Sequence, residues 1–389
     1  MNKFCSIFSQ LLQLFPRYEF QKLVQKTKAE RHARGFTSWG QFVAMLFCQL
    51  GHAYSLREIT HGLRSCEGKL KHLGIPAPHR STLAYANEHR PWELYQELFL
   101  LLLKRVQSQG LGKKKFRFKN QLVSLDSTLI DLSISLFNWA HFRRTKGAIK
   151  LHLLLDHDGY LPTFACITEG KVADIQIARQ ILFPPGTIVV DDRAYNDYRL
   201  FARWTSQKVY FVTRLKENAQ YEVIGEREVP KNRDIHKDEL IQFTDPLSRE
   251  KCPAPLRLIQ VYNPDKGEFY FFLTNHMDLG ATTIAAIYKD RWQIEIFFKY
   301  LKQNLKIKTF VGTSPNAVKI QIWTALIALL LLRYLQLVAR FTWSLSNLVA
   351  LLRMNLFTHR DFWAWLNQPY DTPPIFYEPE QLPLNLKSI

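Results

Sequence analysis

The spacing of apolar positions changes twice along the chain. Up to about residue 110 they recur at three- and four-residue intervals, which predicts helices over 18–33, 39–52, 55–65, 80–89 and 91–109. From 120 the spacing shortens to near alternation, punctuated by turn residues. "NQLVSLDSTLIDL" reads as a strand and "AIKLHLLLDHDGYLPTFACITEG" as a hairpin turning at 156–159. "ADIQIARQIL" reads as helix, "GTIVVDDRAY" as a strand ending in acids, "DYRLFARWTSQ" as helix and "KVYFVTRLK" as strand. The order β-β-β-α-β-α-β predicts a mixed α/β sheet, a meander followed by crossovers. Residues 216–283 are charged and strand-rich, with a hairpin around "PDKG", and read as an insertion. Helical spacing returns in "YKDRWQIEIFFKYLKQ" (288–303), continues over 315–340 and roughly 343–366, and gives way to a Pro-rich tail.

Two helical segments, "YSLREITHGL" and "HRSTLAYANEHR", have a spacing like that of a helix-turn-helix. Ser81 or Thr82 would cap the second helix, with Arg80 and Arg90 at its ends. The pattern leaves open both DNA binding and an ordinary helical bundle. The run "KRVQSQGLGKKKFRFK" (104–119) has seven Lys or Arg and no acid. Its Lys113, Lys114, Lys115 and Arg117 suit either a solvated linker or a segment lying along phosphates. Charge over the whole chain bears on that choice: 52 Lys plus Arg against 34 Asp plus Glu leave +18, which points to a polyanionic partner.

The remaining composition narrows the class. Five scattered cysteines with no CxxC pair support neither a disulfide framework nor a zinc site. The N-terminus lacks a small-residue cleavage site, so no secretory signal is expected. "IWTALIALLLLRYLQLV" (322–338) has an uncharged run of eleven residues before Arg333, short of the roughly 20 that span a bilayer. It reads as a buried helix, with membrane association as the competing reading. The expectation is a soluble protein of the cytoplasm with no membrane partner.

Candidate chemistry centres on 288–303. At about 100° per residue, Tyr288, Arg291, Glu295 and Lys302 fall in a stripe about 60° wide, beside an apolar sector that includes Ile294, Phe297 and Leu301. The plain reading is a surface helix with an Arg291–Glu295 pair worth a few tenths of a kcal/mol. Two further acids change the weight. Asp126 follows an apolar strand segment, and Asp192 ends "TIVVDD", at the carboxyl end of a strand where sheet proteins place their sites. Attack on a phosphodiester needs a deprotonated water and shielding of developing charge; two divalent ions held by hard carboxylate oxygens provide both. No GxxxxGK[ST], HExxH, GxSxG or strand-borne GxGxxG occurs. His141, His152 and His157 match no metal spacing, and "LHLLLDHDG" reads as a turn around Asp156 or Asp158.

"YKDRWQIEIFFKYLK" matches the Y-x2-R-x3-E-x6-K signature of the IS4-type DDE transposases at Tyr288, Arg291, Glu295 and Lys302. "LDST" and "VVDDRAY" resemble the family's two catalytic-Asp regions, and the resemblance spans about residues 1–345. It implies an α/β fold: an RNase H-like mixed sheet with flanking helices, a β-rich insertion and an N-terminal all-helical domain. The corresponding divisions are 1–118 (helical, for DNA ends), 119–215 and 284–342 (the two parts of the catalytic core), 216–283 (the insertion) and 343–389 (a C-terminal helix and tail). It further implies that Asp126, Asp192 and Glu295 are catalytic and bind two Mg²⁺ or Mn²⁺ ions, with Tyr288, Arg291 and Lys302 supporting the phosphate. The implied reaction is cut-and-paste transposition: nicking at terminal inverted repeats, release through a DNA hairpin, then strand transfer. Terminal repeats and target DNA are the implied partners, bound by a homodimer on paired ends in the nucleoid. Trp292 reads as a core or groove residue, or alternatively as a platform for a displaced base. One departure is Ala194, where the family usually has Gly; a left-handed backbone there would strain an alanine by about 1 kcal/mol. The motif register favours Asp192 over Asp191. A DNA-binding protein without catalysis is the competing class.

Overall fold

The computed structural model describes residues 5–371 except 32, 111–113, 134, 138, 144–145, 232–233, 306 and 308. Lys113 and the Pro-rich tail from 372 therefore lie outside the described residues.

Three strands form the predicted meander: β1 (Leu122–Leu132), β2 (Lys146–Asp156) and β3 (Leu161–Glu169). β1 and β2 pair antiparallel with Asp126 opposite Leu153, and β3 lies on the far side of β2. β4 (Ile188–Val190) runs parallel to β1, with Ser124 opposite Val190, and β5 (Tyr210–Arg214) runs parallel to β4. The order β3-β2-β1-β4-β5, three antiparallel strands and then two parallel ones, is the RNase H-like arrangement. β4 is apolar on both faces because both are covered: Ile188, Val189 and Val190 are all 0% exposed.

The strands read as an insertion do not form a separate layer. β6 (Tyr221–Glu226), β7 (Ile235–Phe243), β8 (Leu256–Asn263) and β9 (Glu268–Thr274) continue the same sheet, because β9 pairs antiparallel with β5. The returning chain fills the hydrogen-bonding edge that β5 would otherwise expose. A three-residue strand, His141–Arg143, completes a ten-stranded sheet. Between β7 and β8, Arg257 is buried and grips Asp238 with two hydrogen bonds, 2.7 and 2.6 Å, while also donating to the Leu279 carbonyl.

The N-terminal helices are Ile7–Leu12, Arg17–Thr27, Ser38–Leu50, Leu56–Ser65, Arg80–His89 and Glu93–Ser108. The second stops short of its predicted end because Lys28 turns left-handed (φ 55°) and Ala29 N–H closes back on the Val24 carbonyl. Leu56–Ser65 and Arg80–His89 are not joined by the short turn of a helix-turn-helix; a helical turn (Glu67–Leu70) and a 3₁₀ turn (Lys71–Leu73) intervene. Ser81 and Thr82 lie inside the second helix and do not cap it. The single C-terminal helix expected over 343–366 is two, Leu345–Asn355 and Phe362–Asn367, the latter capped by the Asp361 carboxylate.

The Pro315–Val338 helix is long and apolar enough, by length and composition, to cross a membrane, yet most of it is buried. It packs against Ser38–Leu50, Arg80–His89 and Glu93–Ser108 as well as β3. Trp323, Leu326 and Leu332 are at most 1% exposed, so this helix ties the N-terminal layer to the sheet.

On β2, His152 is buried and its Nε2 meets the Thr168 hydroxyl at 2.9 Å. Burial pulls its pKa down to about 4, with Asp174 opposing and Lys150 assisting. The ring is thus neutral in the fold but takes a proton in the unfolded chain below its ordinary 6.5. Its contribution is complete above pH 6.5 and is lost as pH falls towards 4, about 3 kcal/mol in all. Urea unfolding of His152→Gln is therefore expected to vary less between pH 7 and 4.5 than that of the wild type; parallel curves would remove His152 as the cause.

Candidate active site

Pairing between β1 and β4 ends at Ser124 and Val190. Asp126 and Asp192 each stand two residues further on, so the period-two alternation of strands turns both towards one face at the carboxyl end of the parallel pair. Each Asp uses one oxygen locally: Asp126 Oδ1 accepts from Ser127 N–H (2.7 Å), and Asp192 Oδ1 accepts from Ala194 N–H (2.8 Å). Glu295 arrives from above, in the first turn of the helix Trp292–Asn304, which packs on β1. Arg291 joins the groups: its Nη2 donates to Glu295 Oε1 at 2.7 Å, and its Nη1 lies 3.7 Å from Asp126 Oδ2. Burial pushes the Asp126 carboxyl up to about 7; the Ser127 N–H opposes this, and the charges of Asp192 and Glu295 add to it.

The stretch 288–303 is not one continuous helix. Ala281–Asp290 ends and Trp292–Asn304 begins at Arg291, with no glycine or proline at the joint. The side chains flanking the break are committed elsewhere, Asp290 to a buried cluster and Arg291 to the carboxylates, so tertiary contacts override local periodicity. Lys302 keeps its place in the last turn, seven residues and nearly two full turns after Glu295. Tyr288 packs on Phe272 (ring centroids 4.5 Å) beside the Arg291 guanidinium, and burial raises its hydroxyl pKa.

Among the described residues, no three His, Cys, Asp or Glu side chains form a group that could hold a metal ion as they stand. Arg291 bridges Glu295 and Asp126, and Asp192 is near enough for its charge to act on Asp126. The donor chemistry nevertheless fits hard divalent cations. The oxygens are carboxylates, one on each Asp is free of the local backbone bond, and a bound cation would offset the burial and the neighbouring negative charge that raise Asp126.

Asp191, the residue preceding Asp192, is buried. It is 0% exposed, and neither carboxyl oxygen has a hydrogen-bond partner. The Thr213 hydroxyl lies against it but donates to Asn196 Oδ1 at 3.0 Å. Burial raises the Asp191 pKa well above the ordinary carboxylate range. Ala194 sits in a 3₁₀ turn (Arg193–Tyr195) and is not among the residues with positive φ, so the anticipated strain does not arise.

The residues read as DNA contacts fare unequally. Arg90 is half-buried: it donates to the Phe36 carbonyl and to Gln41 Oε1 and lies over the Phe36 ring. Arg80 is exposed beside a cleft that includes Ser55 and Arg57. Lys114 pairs with Asp158 (3.6 Å), Lys115 with Asp290 (2.5 Å), and Arg117 is exposed. Trp292 is 58% exposed, so of the core and groove positions expected for it the core is ruled out and a groove position stands.

A cluster behind the carboxylates was not anticipated. Ser124 Oγ lies 2.7 Å from His157 Nε2, and His157 Nδ1 lies 2.5 Å from Asp290 Oδ2. Lys115 and the Tyr160 hydroxyl also donate to Asp290. No local pattern couples positions 124, 157 and 290; the one hint is that they sit beside Asp126 and Arg291.

An RNase H-like sheet that carries two strand-borne Asp and one helix-borne Glu at a single edge has the architecture of the DDE class. The Transposase DDE domain family matches residues 117–331, and the chain belongs to it. Its relatives are insertion-sequence transposases of the IS4 kind. A protein of Sinorhizobium fredii named as transposase y4zB is 33% identical over 307 residues, covering 77% of this chain and 82% of its own. One of Geobacillus stearothermophilus, named as the transposase for insertion sequence element IS5377, is 27% identical over 336 residues, 86% of each chain. Transposase InsG for insertion sequence element IS4 of Escherichia coli is 26% identical over 201 residues, 48% of this chain and 43% of InsG. Residues 5–76 match a domain of unknown function, DUF4372.

Proposed function

We propose that the chain cuts DNA at the terminal inverted repeats of its own insertion sequence and joins the freed ends to target DNA. What supports this reading is Arg291 joining Glu295 to Asp126, with the charge of Asp192 acting on Asp126. In this reading those three carboxylates hold two Mg²⁺ or Mn²⁺ ions, which supply an activated hydroxyl and shield charge on the phosphate. The chain's own groups do the rest. Arg291 exchanges its carboxylate contacts for phosphate oxygens, which orients the scissile bond. Tyr288, kept neutral by burial, donates a hydrogen bond to the same group. Lys302, on the Glu295 side of the helix, adds a cation. Arg80, Lys114, Lys115 and Arg117 supply sequence-independent attraction to the duplex. A homodimer on paired ends, a hairpin step and a site of action on the nucleoid complete the proposal.

The test is incubation of the purified protein with duplex carrying the inverted repeats that flank its coding region, with Mg²⁺ or Mn²⁺. Nicks at the repeat ends are expected. Salt-dependent binding without nicking in either metal would instead support a DNA-binding protein that has lost catalysis.

The exposure of Trp292 beside the signature residues suits stacking on a base displaced at the cut. Trp292→Ala is expected to weaken binding of nicked end DNA by about 1–3 kcal/mol, and Trp292→Phe by less. Fluorescence anisotropy checks this, and equal affinities would take Trp292 out of the interface.

A further inference from the structure

We propose that Ser124, His157 and Asp290 form a positioning clamp that fixes Arg291 and Glu295 over Asp126. The inference rests on the DNA-cutting role proposed above and extends it to residues that touch neither metal nor DNA.

The geometry has two rungs. Ser124 and Asp126 are two apart on β1 and share a face. Asp290 and Arg291 are adjacent at the break between two helices. One rung runs Ser124–His157–Asp290 (2.7 and 2.5 Å); the other runs from Arg291 to Asp126 at 3.7 Å. Two neighbouring strand positions are thereby tied to the two residues of the joint. Helix breaks without glycine or proline need an outside cause, and the pull on Asp290 supplies one.

Asp290 is held more firmly than a structural salt bridge requires. It is 3% exposed and receives donors from His157, Lys115 and Tyr160. Tyr160 holds a left-handed backbone, φ 53°. That conformation is costly for a bulky residue and persists only where its surroundings over-determine it; its hydroxyl reaches Asp290 from there. The Ser–His–Asp order resembles a nucleophilic triad, but Ser124 is 0% exposed, so no substrate reaches it. The cluster's leverage lies in placement: a shift of about 1 Å in catalytic groups costs on the order of 100-fold in rate.

The full chain with Asp290→Asn, Ser124→Ala, their combination and Tyr160→Phe tests the clamp. Readouts are Mn²⁺ binding by calorimetry, duplex binding by anisotropy, the cleavage rate at saturating DNA and Mn²⁺, and Tm. Asp290→Asn is expected to slow cleavage about 10- to 100-fold and weaken Mn²⁺ binding about 10-fold, with duplex affinity within about twofold. Ser124→Ala shifts the same readouts in the same direction, and the double variant is little worse than Asp290→Asn, because both break one chain of contacts. Tyr160→Phe gives a smaller loss and carries the test, together with Ser124→Ala, if Asp290→Asn does not fold. A lower Tm with unchanged Mn²⁺ affinity and rate, or fully additive losses, overturns the clamp while the nuclease reading stands. A wild type that neither binds Mn²⁺ nor cleaves overturns both.

Discussion

Asp126→Asn, Asp192→Asn and Glu295→Gln are each expected to lower metal-dependent cleavage by about 1,000-fold or more, with duplex binding kept within a few-fold. The substitutions preserve shape and hydrogen-bonding capacity but remove the charge that holds a dication. Binding survives because the long-range attraction to phosphates comes from the basic surplus, and losing one negative charge does not weaken it. Asp191→Asn is the internal control. Its carboxyl is fully buried and burial favours its uncharged form, so the variant is expected to cleave within a few-fold of the wild type. Gel-resolved nicking assays read all four. A wild-type rate in any of the first three reassigns that residue, and loss of activity in Asp191→Asn with a native melting profile moves the second ligand back by one position.

Arg257→Leu is expected to destabilise the fold by about 3–5 kcal/mol. Its guanidinium is the bidentate partner of Asp238, which is itself 3% exposed. Removing the cation strands a buried anion, and Arg227, with Nε 3.8 Å away, is poorly placed to replace it. The Leu279 carbonyl also loses its 2.5 Å donor just ahead of the helix Ala281–Asp290. The double variant Arg257→Leu with Asp238→Leu is expected to recover most of the loss, because no lone charge remains. Urea melts of the two variants against wild type decide it: equal losses in single and double would show that packing, not charge, governs the pair.

Much of the candidate active-site edge is legible in the sequence because its determinants are local. "LVSLD" and "TIVVDD" announce strands with acids at their ends, and the Tyr288-to-Lys302 spacing is a pattern within one stretch. The meander, its turn at 156–159 and the "PDKG" hairpin followed from alternation and turn residues in the same way. What escaped depended on contacts between distant segments. Nothing around Arg90 says that Phe36 and Gln41 will draw its guanidinium inward. The boundary at Arg291 has no helix-breaking residue, and its neighbour Asp290 meets partners at 115, 157 and 160 that no local pattern announces. In the sequence His157 reads as part of a turn; that it bridges β1 to position 290 is a property of the folded sheet. The strands of 221–274 were visible, but their union with β5 was not, since edge pairing leaves no mark on either strand.

The Pro315–Val338 helix has a consequence for modularity. The DDE match begins at residue 117, yet three helices that come earlier in the chain cover this apolar rod. A fragment starting at the sheet would present to water a stretch that passes for a bilayer span, and would clump or adhere to lipid. Cleavage in the basic linker would leave two pieces that stay associated. Swapping the amino-terminal third between related elements would then demand matching the greasy seam as well as any preference for DNA, which limits how freely such enzymes trade parts.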